Sequence, residues 1–106
     1  MAAMLVAPGV QADVVLDGTV GPAGAGTSVP AGSGYTYNIA EALGARRGTS
    51  LFHSFADFDV AAGEHANFSG DDAIANVIAR VTGGNLSTIA GEVSSTIDSA
   101  NLWLIN

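Results

Sequence analysis

The apolar residues of this chain fall in short packets: Leu51 to Phe55, Phe58 with Val60, Ala66 with Phe68, Val77 to Val81, Ile89 to Val93, and Leu102 to Ile105. Turn-forming residues divide them at Gly63, Ser69-Gly70-Asp71-Asp72, Gly83-Gly84-Asn85 and Asp98-Ser99. Packets this short, bounded so regularly, predict an all-β chain of short strands. Upstream, Asp13-Val14-Val15-Leu16-Asp17 is a β-prone run closed by Gly18, and Tyr35 to Asn38 alternates as a half-buried strand does. Between them residues 21–34 are rich in glycine and proline and predict a long, irregular, exposed turn. Ala40 to Gly44 is a short helical stretch, too brief to stand by itself.

The segment 74–81 fits two periods. Ile74, Val77, Ile78 and Val81 match helical spacing, while Val77, Ala79 and Val81 match strand alternation. A β-branched run ending in Thr82-Gly83-Gly84 packs poorly as a helix, which favours the strand. Strand packets of this kind build either a sandwich or a parallel β-helix, and pattern alone leaves both open. Three of the four phenylalanines lie between positions 52 and 58, so Phe52, Phe55 and Phe58, with Phe68 beyond them, are the expected core anchors.

Composition narrows the function classes. A chain of 106 residues has room for one small domain with little stability to spare. Ten acids against three arginines and no lysine give a net charge of -7, which repels phosphate backbones and anionic lipid and argues against nucleic-acid binding. There is no cysteine, so disulfides, thiolate nucleophiles and cysteine metal sites are all excluded. The first twelve residues are uncharged and largely apolar, and end in Val10-Gln11-Ala12 before the charged Asp13. That small-x-small ending predicts the carboxyl half of a signal peptide over 1–12 and a mature domain over 13–106. No stretch approaches the ~20 apolar residues of a membrane helix.

Candidate chemistry is sparse. His53, Asp57, Asp59, Glu64 and His65 lie close together, but their spacing matches no standard metal-ligand pattern. Strand alternation puts Asp57 and Asp59 on one face and Phe58 and Val60 on the other, so the expectation is a solvated acidic face beside a hydrogen-bonded His53. Gly21-Pro22-Ala23-Gly24-Ala25-Gly26-Thr27-Ser28 mimics a phosphate loop but has Thr27 where the lysine belongs, and no strand–loop–helix context. No Gly-x-Ser-x-Gly elbow is present, and His53 and Ser54, as strand neighbours, point to opposite faces. Asn67-Phe68-Ser69 and Asn85-Leu86-Ser87 match the glycosylation acceptor pattern, which is too short to carry weight. Arg46-Arg47 holds two of the three positive charges in a turn-prone stretch, where the ordinary reading is a solvated turn or an ion pair with an acid such as Glu41.

Residues 47–60, Arg-Gly-Thr-Ser-Leu-Phe-His-Ser-Phe-Ala-Asp-Phe-Asp-Val, are followed by Gly63, Ala66, Phe68, the run Ile74 to Gly84 and the tail Ala100-Asn101-Leu102-Trp103-Leu104-Ile105-Asn106. In this order the chain resembles the amino-terminal secretion domain of filamentous-haemagglutinin-type exoproteins, the large secreted partners of two-partner secretion systems. The resemblance covers Val14 to Asn106. It implies a right-handed parallel β-helix with an amino-terminal cap, in which 13–45 supply the cap and first rung and 50–106 the next coils. It also implies a non-enzymatic translocation module without cofactors, secreted or displayed on the cell surface by way of the periplasm of a Gram-negative-type bacterium.

By the same resemblance, an outer-membrane β-barrel transporter recognises the domain through its periplasmic domains. Adhesion, haemolysis or contact with a host-cell receptor would reside in downstream repeats. Arg46, Arg47 and Asn106 are the residues expected to contact the transporter. Where the family continues with an Asn-Pro-Asn-Gly turn, this chain supplies only Asn106, so it reads as an incomplete fragment of a longer polypeptide. The rival readings are a small β-helix enzyme, metal-assisted or carbohydrate-active, and a plain structural surface protein.

Overall fold

In the computed structural model, which describes residues 13–84 and 86–106, eight strands form two sheets. They are β1 (Val14–Leu16), β2 (Thr36–Ala40), β3 (Ala45–Arg47), β4 (Ser50–Phe58), β5 (His65–Ser69), β6 (Asn76–Val81), β7 (Glu92–Ser95) and β8 (Asn101–Ile105). The helical stretch near residue 42 is a single 3-10 turn, Glu41–Leu43, between β2 and β3. The expected signal-peptide residues 1–12 lie outside the described residues.

The chain makes three passes, each laying one strand in each sheet: β2 then β4, β5 then β6, β7 then β8. Each strand pairs parallel and without a register break with its equivalent in the preceding pass. In one sheet Leu51 is opposite Val77 and Val77 opposite Leu102. In the other Tyr37 is opposite Ala66 and Ala66 opposite Val93. A further parallel bridge joins Val60 to Ile89. Two antiparallel strands make the larger sheet mixed, with β3 on the first half of β4 and β1 on the second. Together they cover an edge of β4 that would otherwise expose unpaired N–H and C=O groups.

The segment with two periods is resolved as a strand. Val77, Ala79 and Val81 are buried while Ile78 between them is only half-buried, and Ile74 enters the core just before the strand begins. Inward residues of both sheets meet in one core, whose largest fully buried side chains are Phe55, Phe58, Phe68, Ile39, Leu51 and Ile74. The three phenylalanines form one cluster, with ring centroids 4.9 Å (Phe55–Phe58), 6.2 Å (Phe58–Phe68) and 6.4 Å (Phe55–Phe68) apart.

Phe52 corrects the expectation that it fills the interior. Leu51 and His53 on either side of it point inward, so the pleat turns Phe52 to the outer face, where it is half-buried. There it lies in register with Ala45, Ile78 and Trp103, a row of apolar residues crossing the outside of the sheet. Phe55 and Phe58 are both inward because the ladder with β1 skips a residue: Val15 pairs with Asp57 and Leu16 with Phe55, leaving Ala56 as a bulge.

Candidate functional site

The fold separates the residues that proximity in sequence had grouped. His53 is in the core, whereas Asp57 and Asp59 are half-exposed opposite the buried Phe58 and Val60, as alternation predicted. Asp59 accepts the Thr88 N–H at 2.8 Å. Glu64 accepts the Tyr37 hydroxyl at 3.1 Å on each oxygen and the Ala61 N–H at 2.9 Å. His65 is part of a different contact, with Nδ1 2.8 Å from Glu92 on β7. Among the described residues no three His, Asp or Glu side chains are arranged to hold a metal ion.

His53 also departs from the hydrogen-bonded ring expected of it. Neither ring nitrogen has a hydrogen-bond partner among the described residues. Its neighbours are the rings of Phe55 and Phe68, and burial pulls its pKa down to about 4. Ser54, next in the strand, faces the other way, so the two form no nucleophile–base pair.

Ser54 instead belongs to a polar network that sequence reasoning missed. Although buried, it donates to Asp17 at 2.6 Å and accepts from Arg80 Nε at 2.8 Å. Arg80 Nη2 donates to the Thr19 hydroxyl at 3.0 Å, and the Thr82 hydroxyl donates to Asp17. Desolvation raises the Asp17 pKa, but hydrogen bonds from Ser54, Thr82 and Thr19 overcome it and hold the carboxyl well below the usual carboxylate range. The network ties the loop after β1 to β4 and β6, so it clamps the amino-terminal segment onto two successive passes. Every member is engaged, and the hydroxyl of Ser54 is not available as a nucleophile.

The glycine-rich segment is likewise structural. The Thr27 hydroxyl donates to the Gly24 carbonyl at 2.7 Å, and the Leu16 N–H donates to the Thr27 carbonyl, so the loop bonds to itself and to β1. Beside it is a cleft of about 310 Å³ lined in part by Asp13, Val29, Tyr37 and Glu64. Burial first, then Glu64 and Asp13, push the Tyr37 hydroxyl up to about 12, which keeps it a donor to Glu64.

The residues expected to contact a transporter are not brought together. Arg46 and Arg47 sit on β3 at one side of the larger sheet, and Asn106 follows β8 at the other. Arg46 has its Nη1 3.5 Å from Glu41 and 3.2 Å from Asp71, while its Nε donates to the Gly48 carbonyl at 3.0 Å. The Ala73 N–H and then Arg46 hold the Asp71 carboxyl below its ordinary value. Arg47 is exposed, opposite Ser50.

Most of the large apolar side chains exposed among the described residues are in the last pass or the segment leading to it. Trp103 is 55% and Ile105 56% exposed on β8 beside the exposed Leu104, and Leu86 and Ile89 are exposed in the segment that precedes β7. Among the described residues β7 and β8 are the outermost strands of their sheets. No helix among them is long and apolar enough to cross a membrane.

A family model for the TPS secretion domain, the secretion domain of two-partner-secretion exoproteins, matches residues 12–106. The chain belongs to the TPS secretion domain family. Comparison with curated proteins and with solved structures gives no match. As a TPS domain, the chain is the secretion domain of a two-partner-secretion exoprotein, exported through the periplasm of Gram-negative bacteria. Its family is non-enzymatic and implies an outer-membrane transporter as the partner.

Proposed function

We propose that this TPS domain is of the filamentous-haemagglutinin type and begins an adhesin- or haemolysin-type exoprotein, its passes being the first coils of a right-handed parallel β-helix with an amino-terminal cap. The observation that carries the reading is the pair of parallel ladders, in which each strand meets its equivalent one pass later. The cover that β1 and β3 make over the edge of β4 supports the cap. Residues 1–12 act as the carboxyl half of the signal peptide that takes the chain to the periplasm.

The unfolded chain is recognised by the transporter's periplasmic domains, threads through the barrel and folds outside. Each coil buries the apolar face of the one before it, so folding beyond the pore withdraws chain from the threading equilibrium. An extended chain suits recognition by strand addition, in which main-chain hydrogen bonds supply affinity and side chains supply selectivity. Arg46, Arg47 and Asn106 supply transporter contacts.

Titration calorimetry of residues 13–106 against the soluble periplasmic domains of the cognate transporter tests the reading. Saturable binding that weakens in Arg47→Glu is expected. Absence of binding by the unaltered chain refutes it.

A further inference from the structure

His53 is a polar side chain placed where an apolar one would serve. Its surface is 1% exposed, and both nitrogens are buried without a partner among the described residues. The Phe68 ring lies 5.3 Å and the Phe55 ring 6.1 Å from its own, measured between centroids. Ala79 of β6 is its register partner. Gly44 closes the remaining side so tightly that a Cβ there would press on Cε1 and Nδ1 of the imidazole.

The titratable groups on the elements packed around His53 face elsewhere. On β4 itself Asp57 is on the half-exposed outer face. On β5 His65 pairs with Glu92, and on β6 Arg80 joins Ser54 and Thr19. Beside Gly44, Glu41 and Arg46 pair with each other at the surface. Among the described residues no acid is therefore positioned to stabilise an imidazolium, and no carbonyl or hydroxyl receives its N–H. A buried polar group in this state lowers stability even when neutral, and far more when charged.

We propose that His53 makes folding of the first pass conditional on its proton: the neutral ring is tolerated in the core, the imidazolium is not, and the chain stays open while His53 is charged. Such a device lets one sequence remain unfolded in mildly acidic surroundings and close its core when the proton leaves. It acts through the fold alone, so it stands or falls separately from the secretion reading.

The sign follows from linkage. Burial pulls the folded-state pKa from the ordinary 6.5 to about 4, so the unfolded chain binds the extra proton between those values. Stability is then lost as pH falls through 6.5, and the loss levels off near 4. The test is urea unfolding of the 106-residue chain from pH 8 to pH 4, with no transporter present. In the unaltered chain the unfolding constant should rise roughly tenfold per pH unit within the window. His53→Leu should unfold at higher urea and lose that slope, with His53→Met as the second variant should leucine not fit, while His65→Gln keeps the slope. A His53→Leu or His53→Met chain that is no more stable than the original, or that keeps its pH slope, overturns the proposal.

Discussion

The ring of Phe55 packs 4.9 Å from that of Phe58, three positions further along the same strand. A regular pleat would send two such residues to opposite faces. The bulge at Ala56 adds one residue to β4 and turns both rings into one core. Phe52 has no such bulge before Phe55 and stays outside.

Truncation of Phe55 or Phe58 to alanine should therefore remove about 3–5 kcal/mol, enough to unfold a domain of this size. Phe52→Ala should cost about 1 kcal/mol, because its ring lies on the outer face of the sheet and is not fully withdrawn from water. Urea midpoints of the three variants check the ranking. Equal losses would place Phe52 in the core after all.

Gly83 is confined by the preceding pass. A Cβ on it would overlap the carbonyl oxygen of Ala56, which is backbone and has nowhere to move. Gly83→Ala should shift β6 from β4 and destabilise by about 1–3 kcal/mol, whereas Gly84→Ala, with nothing near its Cβ position, should be close to neutral. Thermal unfolding of the pair separates steric fit from a general effect of removing glycine.

The clamp around Asp17 should respond to acid in a lower window than His53. Its carboxyl is held below the ordinary value of 3.8, so its contribution is complete above that pH and disappears as pH falls below it. Asp17→Ala leaves the buried Ser54 hydroxyl without its acceptor and Thr82 with only the Phe55 carbonyl, and should cost about 1–2 kcal/mol at neutral pH. Acid titration of the Asp17 variants in a His53→Leu background isolates this lower transition. An unchanged transition would show that the carboxyl bears no load on the fold.

Polar contacts at the surface should matter less. His65 and Glu92 are close at 2.8 Å but both solvated, so Glu92→Gln should change stability by less than about 1 kcal/mol. High salt should abolish even that difference.

Trp103 offers a test of the outer row. Its exposure predicts ready quenching by acrylamide in the folded protein, and Trp103→Ser should change stability by no more than about 0.5 kcal/mol. The same change should reduce light scattering at high protein concentration, because it removes a large apolar group from an outermost strand.

Read alone, the sequence determined the all-β class, the strand character of 76–81, the irregular loop of 21–34 and the outward placement of Asp57 and Asp59. Each of these follows from local preference: β-branched runs, turn residues and a period of two. Its resemblance also reached the family that the comparison established. Tertiary structure alone decided which residues meet across passes. That Phe58 joins Phe55 in the core turned on one extra residue at Ala56, which shifts the later side chains of β4 to the other face and leaves no mark in composition. The Asp17, Ser54, Arg80 and Thr82 network joins three separate stretches through strand register, which no local pattern encodes. His53 looked like an ordinary strand histidine until β5 and Gly44 closed over it, because whether a ring is hydrated or buried depends on what the rest of the chain lays against it.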